Sequence, residues 1–257
     1  MMPVEVVSNG MGAPSMYMMI LAGRGEIPCD VVITCDTGSE NDCLLSTGER
    51  VTAQQYYNDV IEPLGNKLKL KTAFVRARNK DGEPIKPLIE QLKNGLTFGV
   101  PMFGSNGGRL HQGCTERYKI RAIRQYLRRI GATTARSALG LTMDEVHRMK
   151  QIGDVKWYSV YWPLIDRREY KATARKVLNK LEIPFMLSSE CDMCPHKNWA
   201  RWKRTSPKII DEIADIEAGF DGTQFFTPYR IPLKDALPLM DKGKSLFDAC
   251  DSGYCFT

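Results

Sequence analysis

No uninterrupted apolar run in this 257-residue sequence approaches the roughly 20 residues that a membrane-spanning helix needs, so the composition predicts a soluble protein with no membrane role. The N-terminus also lacks a basic segment followed by an apolar stretch and a small-residue cleavage site, which points to the cytoplasm. Cysteine is too sparse for a disulfide-stapled secreted domain: eight in the whole chain suit a reduced compartment in which thiols bind metal or do chemistry. There is no internal repeat and no low-complexity linker. The length is enough to bury a sizeable core, most simply one α/β domain over residues 1–185 with a smaller C-terminal addition over 186–257.

The cysteines that are present fall in informative places. Cys114 lies in G-C-T-E-R-Y-K, and Cys191 and Cys194 lie in E-C-D-M-C-P. A thiolate pair two residues apart can grip one soft metal, and a third thiolate from elsewhere in the fold strengthens that reading, as an iron-sulfur cluster or a zinc. The formal charge of +6 is unevenly placed, with Arg117, Lys119, Arg121, Arg124, Arg128 and Arg129 crowding one stretch. Such a stretch suits anionic ligands, from nucleotide phosphates to nucleic acid, and equally an ordinary solvated helix face.

Residues Val4 to Val7 form a short apolar run that stops at Ser8-Asn9-Gly10-Met11-Gly12-Ala13-Pro14-Ser15, before a helix-like segment from Met16 to Ala22. Strand, small-residue loop and helix in that order bring backbone amides and a positive helix end to where a phosphate can bind. A second buried strand, Asp30 to Thr34, runs into Cys35-Asp36-Thr37-Gly38-Ser39-Glu40. A helix over 53–60, a strand near 70–75 and a helix after Pro84 continue the alternation, which predicts a doubly wound, mostly parallel α/β sheet of Rossmann-like type. The glycine-rich stretch 94–113 reads as a mobile loop outside the core. Beyond it, Glu116 to Ile130 has helical spacing, with Ile120, Ile123 and Leu127 on one face. A strand end at 138–141, a helix over 168–181 and a last helix opened by Pro207 complete the reading. Trp199 and Trp202, three apart, are expected to pack the cysteine-bearing region, and Cys29, Cys35 and Cys43 to be core or near-surface thiols. His147 reads as a surface or supporting residue, with Arg148 in reach of a phosphate.

Taken together these segments resemble the PAPS reductase-like branch of the adenine nucleotide alpha hydrolase, or PP-loop, superfamily. Residues 8–15 sit where that family has its PP-loop, and Asp36-Thr37-Gly38-Ser39-Glu40 resembles its D-T-G-x-E strand end. Cys114 to Ile120 is similar to its cysteine-and-lysine motif, Tyr161-Trp162-Pro163-Leu164 to its aromatic-Pro-Leu segment, and Cys191 to Pro195 to its C-x-x-C-P turn. The tail, with Cys250 and Cys255, resembles the cysteine-bearing end of many such proteins, several of them phage-encoded, for which the location would be the host cytoplasm.

The resemblance implies an adenine nucleotide ligand, ATP or an adenylated sulfate (APS or PAPS), held by Ser8, Asn9, Gly10, Met11, Gly12 and Ser15. Asp36, Thr37 and Gly38 would serve the ribose or a magnesium ion, and Arg117, Lys119 and Arg121 a phosphate or sulfate. Ala13 and Pro14 replace the acidic region of the adenylating members' S-G-G-x-D-S, which argues against ATP hydrolysis to AMP and pyrophosphate; Pro14 also lacks an amide donor. The implied reaction is reductive release of sulfite from an adenylated sulfate, with a thiol donor such as thioredoxin, Cys255 as nucleophile and Lys119 beside it. Cys114, Cys191, Cys194 and Cys250 would ligate a 4Fe-4S cluster. Three readings stay open at this stage: that reductase; cluster-dependent thiolation of a nucleic acid base, in which three thiolates leave one iron open; and a non-catalytic regulatory or defence-related module with a structural zinc bound by Cys191, Cys194, Cys250 and Cys255, or by His196 in place of one of them. A homodimer is compatible with each.

Overall fold

The computed structural model describes residues 3–96, 99–149, 155–188 and 190–242. The chain begins with β1 (Val4–Asn9), α1 (Ala13–Gly23) and β2 (Val31–Cys35), followed by a short antiparallel pair, β3 (Cys43–Leu44) and β4 (Arg50–Val51). Next, α2 (Ala53–Tyr56) passes through a π-helical turn (Tyr57–Ile61) into α3 (Glu62–Lys67), then β5 (Thr72–Val75), α4 (Leu88–Lys93) and β6 (Phe103–Gly104). A second π-helical turn (Thr115–Ile120) leads into α5 (Arg121–Arg129), β7 (Ala135–Leu139), a 3-10 turn (Met143–Arg148) and β8 (Tyr158–Tyr161). The remaining elements are α6 (Pro163–Asp166), α7 (Lys171–Lys180), α8 (Trp199–Trp202), α9 (Pro207–Ala218), β9 (Gln224–Phe225) and α10 (Leu233–Lys242).

Five strands form one sheet in the order β5-β2-β1-β7-β8, and every pairing is parallel. A parallel sheet hides both faces, and alternate residues show it here. Val6, Val31 and Ile33 point into one core with Leu92, Ile123, Leu127 and Ile213, whereas Val7 and Val32 point into the other with Met16, Met19, Leu178 and Ile61. The doubly wound α/β architecture is therefore present. Growth of the sheet reverses beside β1: the chain goes outward to β2 and β5, then returns to place β7 on β1's other side. At such a switch point the loops leaving two neighbouring strands diverge and leave a crevice at their carboxyl ends.

The fold departs from the sequence reading in four places. The stretch 94–113 is not outside the core: Val100 and Met102 are buried in it, and Phe103–Gly104 pairs with Gln224–Phe225. Its glycines serve compactness, since Gly99 has φ +86 and its carbonyl accepts the amides of both Gly113 and Cys114 at 3.0 and 2.9 Å. The helix expected over 53–60 runs on to Lys67, and the one expected from Glu116 opens as a π turn. Pro207 does start a helix, with its missing N–H at a position that needs none, but α10 follows it. The C-terminal region packs onto the same sheet, since Trp202, Ile209 and Ile213 share a core with Val6 and Val31.

Candidate functional site

The loop after β1 is built from the inside. Asn9, only 3% exposed, accepts the Met11 amide at 2.6 Å and lies 3.1 Å from the Ser15 hydroxyl through the same Oδ1, while its Nδ2 faces the sulfurs of Met16 and Met19. Met11 takes φ +66, unusual for a residue with a side chain, and pays with burial of that side chain in the core. Its carbonyl accepts the Met186 amide at 3.0 Å, which ties the loop to the segment before Cys191. α1 then starts at Ala13 with Gly12 as its cap residue and no side-chain cap hydrogen bond, and Pro14 removes one of its first amides.

Across from it stands the end of β7. A Cβ on Gly140 would lie 3.1 Å from the Ser15 nitrogen and 3.3 Å from the Pro14 carbonyl carbon, so glycine is what permits this close approach. Between the two loops is a cleft of about 330 Å³, within the size range of small-molecule sites. Its floor is Ser8, Gly10, Gly12, Ala13, Pro14 and Ser15; one wall carries Arg148, Lys171 and Arg175, and the other Arg201 and Arg204. Two acids stand among these cations. Glu145 meets Arg148 and also Lys171, the latter at 3.0 Å, and Glu190 meets Arg201 at 2.6 Å.

A second, much smaller pocket of about 40 Å³, room for little more than a water molecule, adjoins the cleft. Cys114, Cys191 and Cys194 all line it, together with Thr37, Tyr118, Lys119, Glu190 and His196. Cys114 is delivered by the Gly99 carbonyl at the mouth of the second π turn. The cysteine turn is clasped by Asp192: its amide donates to the Ser39 carbonyl at 2.7 Å, and its carboxylate accepts the amides of Asn41 and Asp42 at 2.8 and 3.3 Å. Thr37 Oγ1 lies 3.5 Å from Cys191 Sγ, and Lys119 forms an ion pair at 3.6 Å with the buried Glu40.

Burial sets the electrostatics of this pocket. It raises the Cys191 thiol well above its ordinary value, with the Glu40 carboxylate adding to the rise and Lys119 opposing it. It also raises Glu40 and lifts Asp192 to about 6. His196 is pushed down to about 4 by burial and by the nearby charges of Arg109, Arg201 and Arg148, so it is neutral at pH 7; its Nε2 is 3.1 Å from Gln112 Oε1. Three thiols lining one pocket are the donor chemistry of a soft-metal site. Among the described residues, however, no three or more His, Cys, Asp or Glu side chains are arranged as a metal-ion shell.

Of the residues expected to hold nucleotide, Ser8, Gly10, Gly12 and Ser15 line the cleft, while Asn9 and Met11 brace its floor from behind. Asp36, Thr37, Gly38, Arg117 and Arg121 do not line it. Asp36 is paired with Arg76 and accepts the Gly38 amide at 2.7 Å, Thr37 belongs to the thiol pocket, and Arg117 lies over the Tyr118 ring. Lys119 and the three cysteines expected to act together do meet. Cys250 and Cys255 lie outside the described residues. Cys35 and Cys43 are buried and Cys29 is half-buried, with burial raising each of them. His147 is exposed, and Trp202 is buried with Trp199 packed against the same core. The sequence reading overlooked Glu145, Lys171, Arg175, Glu190, Arg201 and Arg204. The available signal was spacing: Lys171 and Arg175 are four apart on one helix, and Arg201 and Arg204 three apart, so each pair shares a face.

No protein-family model matches the chain, and no curated protein matches it in sequence. Among solved structures, it is similar to the phosphate complex of phosphoadenylyl-sulfate (PAPS) reductase from Candida auris, at a TM-score of 0.44 and 9% identity over 72% of this chain and 76% of that one. No described helix is long and apolar enough to cross a membrane.

Proposed function

We propose that this chain is an adenine-nucleotide-dependent, sulfur-handling enzyme that releases sulfite from an adenylated sulfate. One observation carries the reading: a cation-walled cleft at the sheet's switch point abuts a pocket lined by three cysteines, with Glu190 common to both. A nucleotide in the cleft would set its phosphate on the free amides at the start of α1 and beside Ser8, with Arg148, Lys171 and Arg201 neutralising its charge. Its sulfur end then faces the thiol side.

In the proposed reaction the Cys255 thiolate attacks the sulfate sulfur. A sulfur–sulfur bond forms, the sulfur–oxygen bond breaks, and the nucleotide leaves with that electron pair on its phosphate oxygen. A dithiol donor of the thioredoxin kind then attacks the cysteine sulfur. Sulfite leaves with the sulfur–sulfur electron pair, and the donor's second thiol closes its disulfide and returns Cys255 to the thiol; the donor thereby loses two electrons. Lys119, at the thiol pocket, offers positive charge toward the sulfonate oxygens. Cys114, Cys191 and Cys194, with Cys250, would hold a 4Fe-4S cluster, for which the pocket would have to widen and which would tie the cysteine-bearing segments together beside the site.

A second reading starts from the lone cysteine at the Cys114 site: if Cys114, Cys191 and Cys194 were the only protein ligands, a cluster would keep an open iron, which suits nucleotide-dependent thiolation of a nucleic acid base. Anaerobic purification with metal analysis, followed by assay of sulfite release from APS and PAPS with a thiol donor, tests the first reading. Sulfite release abolished by Cys255→Ser supports it. Colourless protein with stoichiometric zinc, or thiolated nucleosides formed in an ATP-dependent assay, would replace it.

A further inference from the structure

Five arginines on the helix that follows Cys114 lie outside both pockets: Arg117, Arg121, Arg124, Arg128 and Arg129 line neither the cleft nor the thiol pocket. Arg121, Arg124 and Arg128 are three and four residues apart on α5, so they share one face, and Arg117 precedes them by four through the π turn. The other face of α5 is buried through Ala122, Ile123, Tyr126 and Leu127. Four of the five guanidiniums lie over aromatic rings: Arg128 over Trp157 at 4.3 Å, Arg124 over Tyr158 at 5.2 Å, Arg129 over Tyr126 at 5.4 Å and Arg117 over Tyr118 at 6.0 Å. A guanidinium stacked on a ring is held in place yet keeps N–H groups on its edge to donate. Charge is left over on this face. Of the five, Arg124 alone forms an ion pair among the described residues, with Glu116 at 2.9 Å, and Arg128 and Arg129 are exposed.

We propose that this face binds single-stranded nucleic acid, with the arginines on its phosphates and the half-buried Trp157, together with the guanidinium stacked on it, beside a base. Cations interleaved with aromatic rings match such a strand, because phosphates take the charge and unpaired bases take the flat surfaces. A duplex fits less well. The buried face of α5 lays the helix flat on the sheet, whereas a helix that reads a duplex must project far enough to enter the major groove. An acidic protein would use the charge and leave the rings idle. The inference goes beyond the sulfur chemistry proposed above and holds whichever reaction the cleft performs.

The test uses full-length protein isolated under anaerobic conditions and a fluorescein-labelled RNA of mixed sequence, about 12 nucleotides long, with binding followed by fluorescence anisotropy from about 50 to 200 mM salt. The wild type is expected to bind with a slope of log K against log salt of about −2, the value for about three phosphates on a single strand. Arg121→Gln, Arg128→Gln and Arg129→Gln should each weaken binding about fivefold at the low-salt end and reduce the slope by about 0.7. Trp157→Leu should weaken binding about tenfold and leave the slope unchanged, because stacking carries no charge, and Trp157→Phe should restore most of the loss. A native-like thermal transition in each variant certifies folding. Equal binding by the wild type and the three glutamine variants, or a larger loss in the cleft variant Arg175→Ala than in Arg128→Gln, would put the strand elsewhere and overturn the proposal. So would no binding by the wild type, or tighter binding of a duplex of the same length. Equally tight binding of poly-glutamate of matched charge would overturn it too, by marking a face for acidic proteins. Each of these outcomes is read without turnover, so failure here leaves the sulfite assay to decide the proposed reaction, and failure of that assay leaves this binding standing.

Discussion

The cleft and the thiol pocket share a residue yet are built on opposite electrostatic plans. The cleft is open, and five basic side chains outnumber two acids there, so it is complementary to an anion as it stands. Arg175 and Arg204 are exposed. The thiol pocket is small and lined mainly by apolar surface, and desolvation favours the protonated Cys191 thiol. Its sulfur becomes a ligand or a nucleophile only when positive charge arrives, whether from Lys119 or from a metal. Solvent-facing charge recruits a ligand, whereas dry thiols wait for a charge to be brought to them.

The largest expected effect erases the distinction. Trp202, 2% exposed, is the last residue of α8, and its neighbour Arg201 lines the cleft. Trp202→Ala should cost about 3–5 kcal/mol in urea unfolding and degrade both regions together. Cys191→Ser should separate them: metal content of anaerobically isolated protein falls at least about tenfold, while AMP affinity in calorimetry stays unchanged, since removing a soft donor leaves the cleft's charges in place. The reverse separation comes from Arg175→Ala and Arg204→Ala. Each should weaken AMP binding about fivefold at low salt, with the loss shrinking as salt rises, and leave metal content alone.

A smaller effect reads the dryness of the thiol side. His196 has its proton affinity depressed to about 4 in the fold, so between pH 6.5 and 4 the unfolded chain takes up a proton that the native state refuses. Its contribution to stability is present above pH 6.5 and is lost as pH falls through that window, by at most about 3 kcal/mol. Asp192, raised to about 6, has the opposite slope, recovering stability as pH falls through 6. Urea midpoints recorded against pH should therefore fall less on acidification in His196→Gln than in the wild type. The smallest effect is a control that lines neither region: Thr52 and Gln55 form a reciprocal capping box at the start of α2, and Thr52→Ala should cost about 1 kcal/mol while sparing AMP affinity and metal content.

Periodicity and strand-end composition disclosed the sheet and the loop after β1, because those depend on local chemistry. The cleft's walls were hidden for a physical reason. Arg148, Arg201 and Arg204 look like any other arginines until the 3-10 turn and α8 are packed beside the switch point, and the conspicuous run of arginines after Cys114 drew attention away from them. Glycine misled in the other direction: in 94–113 it marks a backbone folded tightly enough to bury Val100 and Met102, which composition cannot distinguish from slack. Asp36 kept its place at a strand end, but Arg76 occupies its carboxylate.

The pairing of β1 with β7 joins Val4 to Ala135 and Ser8 to Leu139, residues some 130 positions apart. During synthesis β1, β2 and β5 are complete long before β7 leaves the ribosome, and until then β1 is an open strand edge carrying Val4, Val6 and Val7. The crevice comes into existence only when that edge is closed. Any nascent chain or truncation that stops short of residue 135 carries instead an unpaired apolar edge, the template on which strands of neighbouring molecules add, so half of this protein is an aggregation hazard rather than half of a binding site.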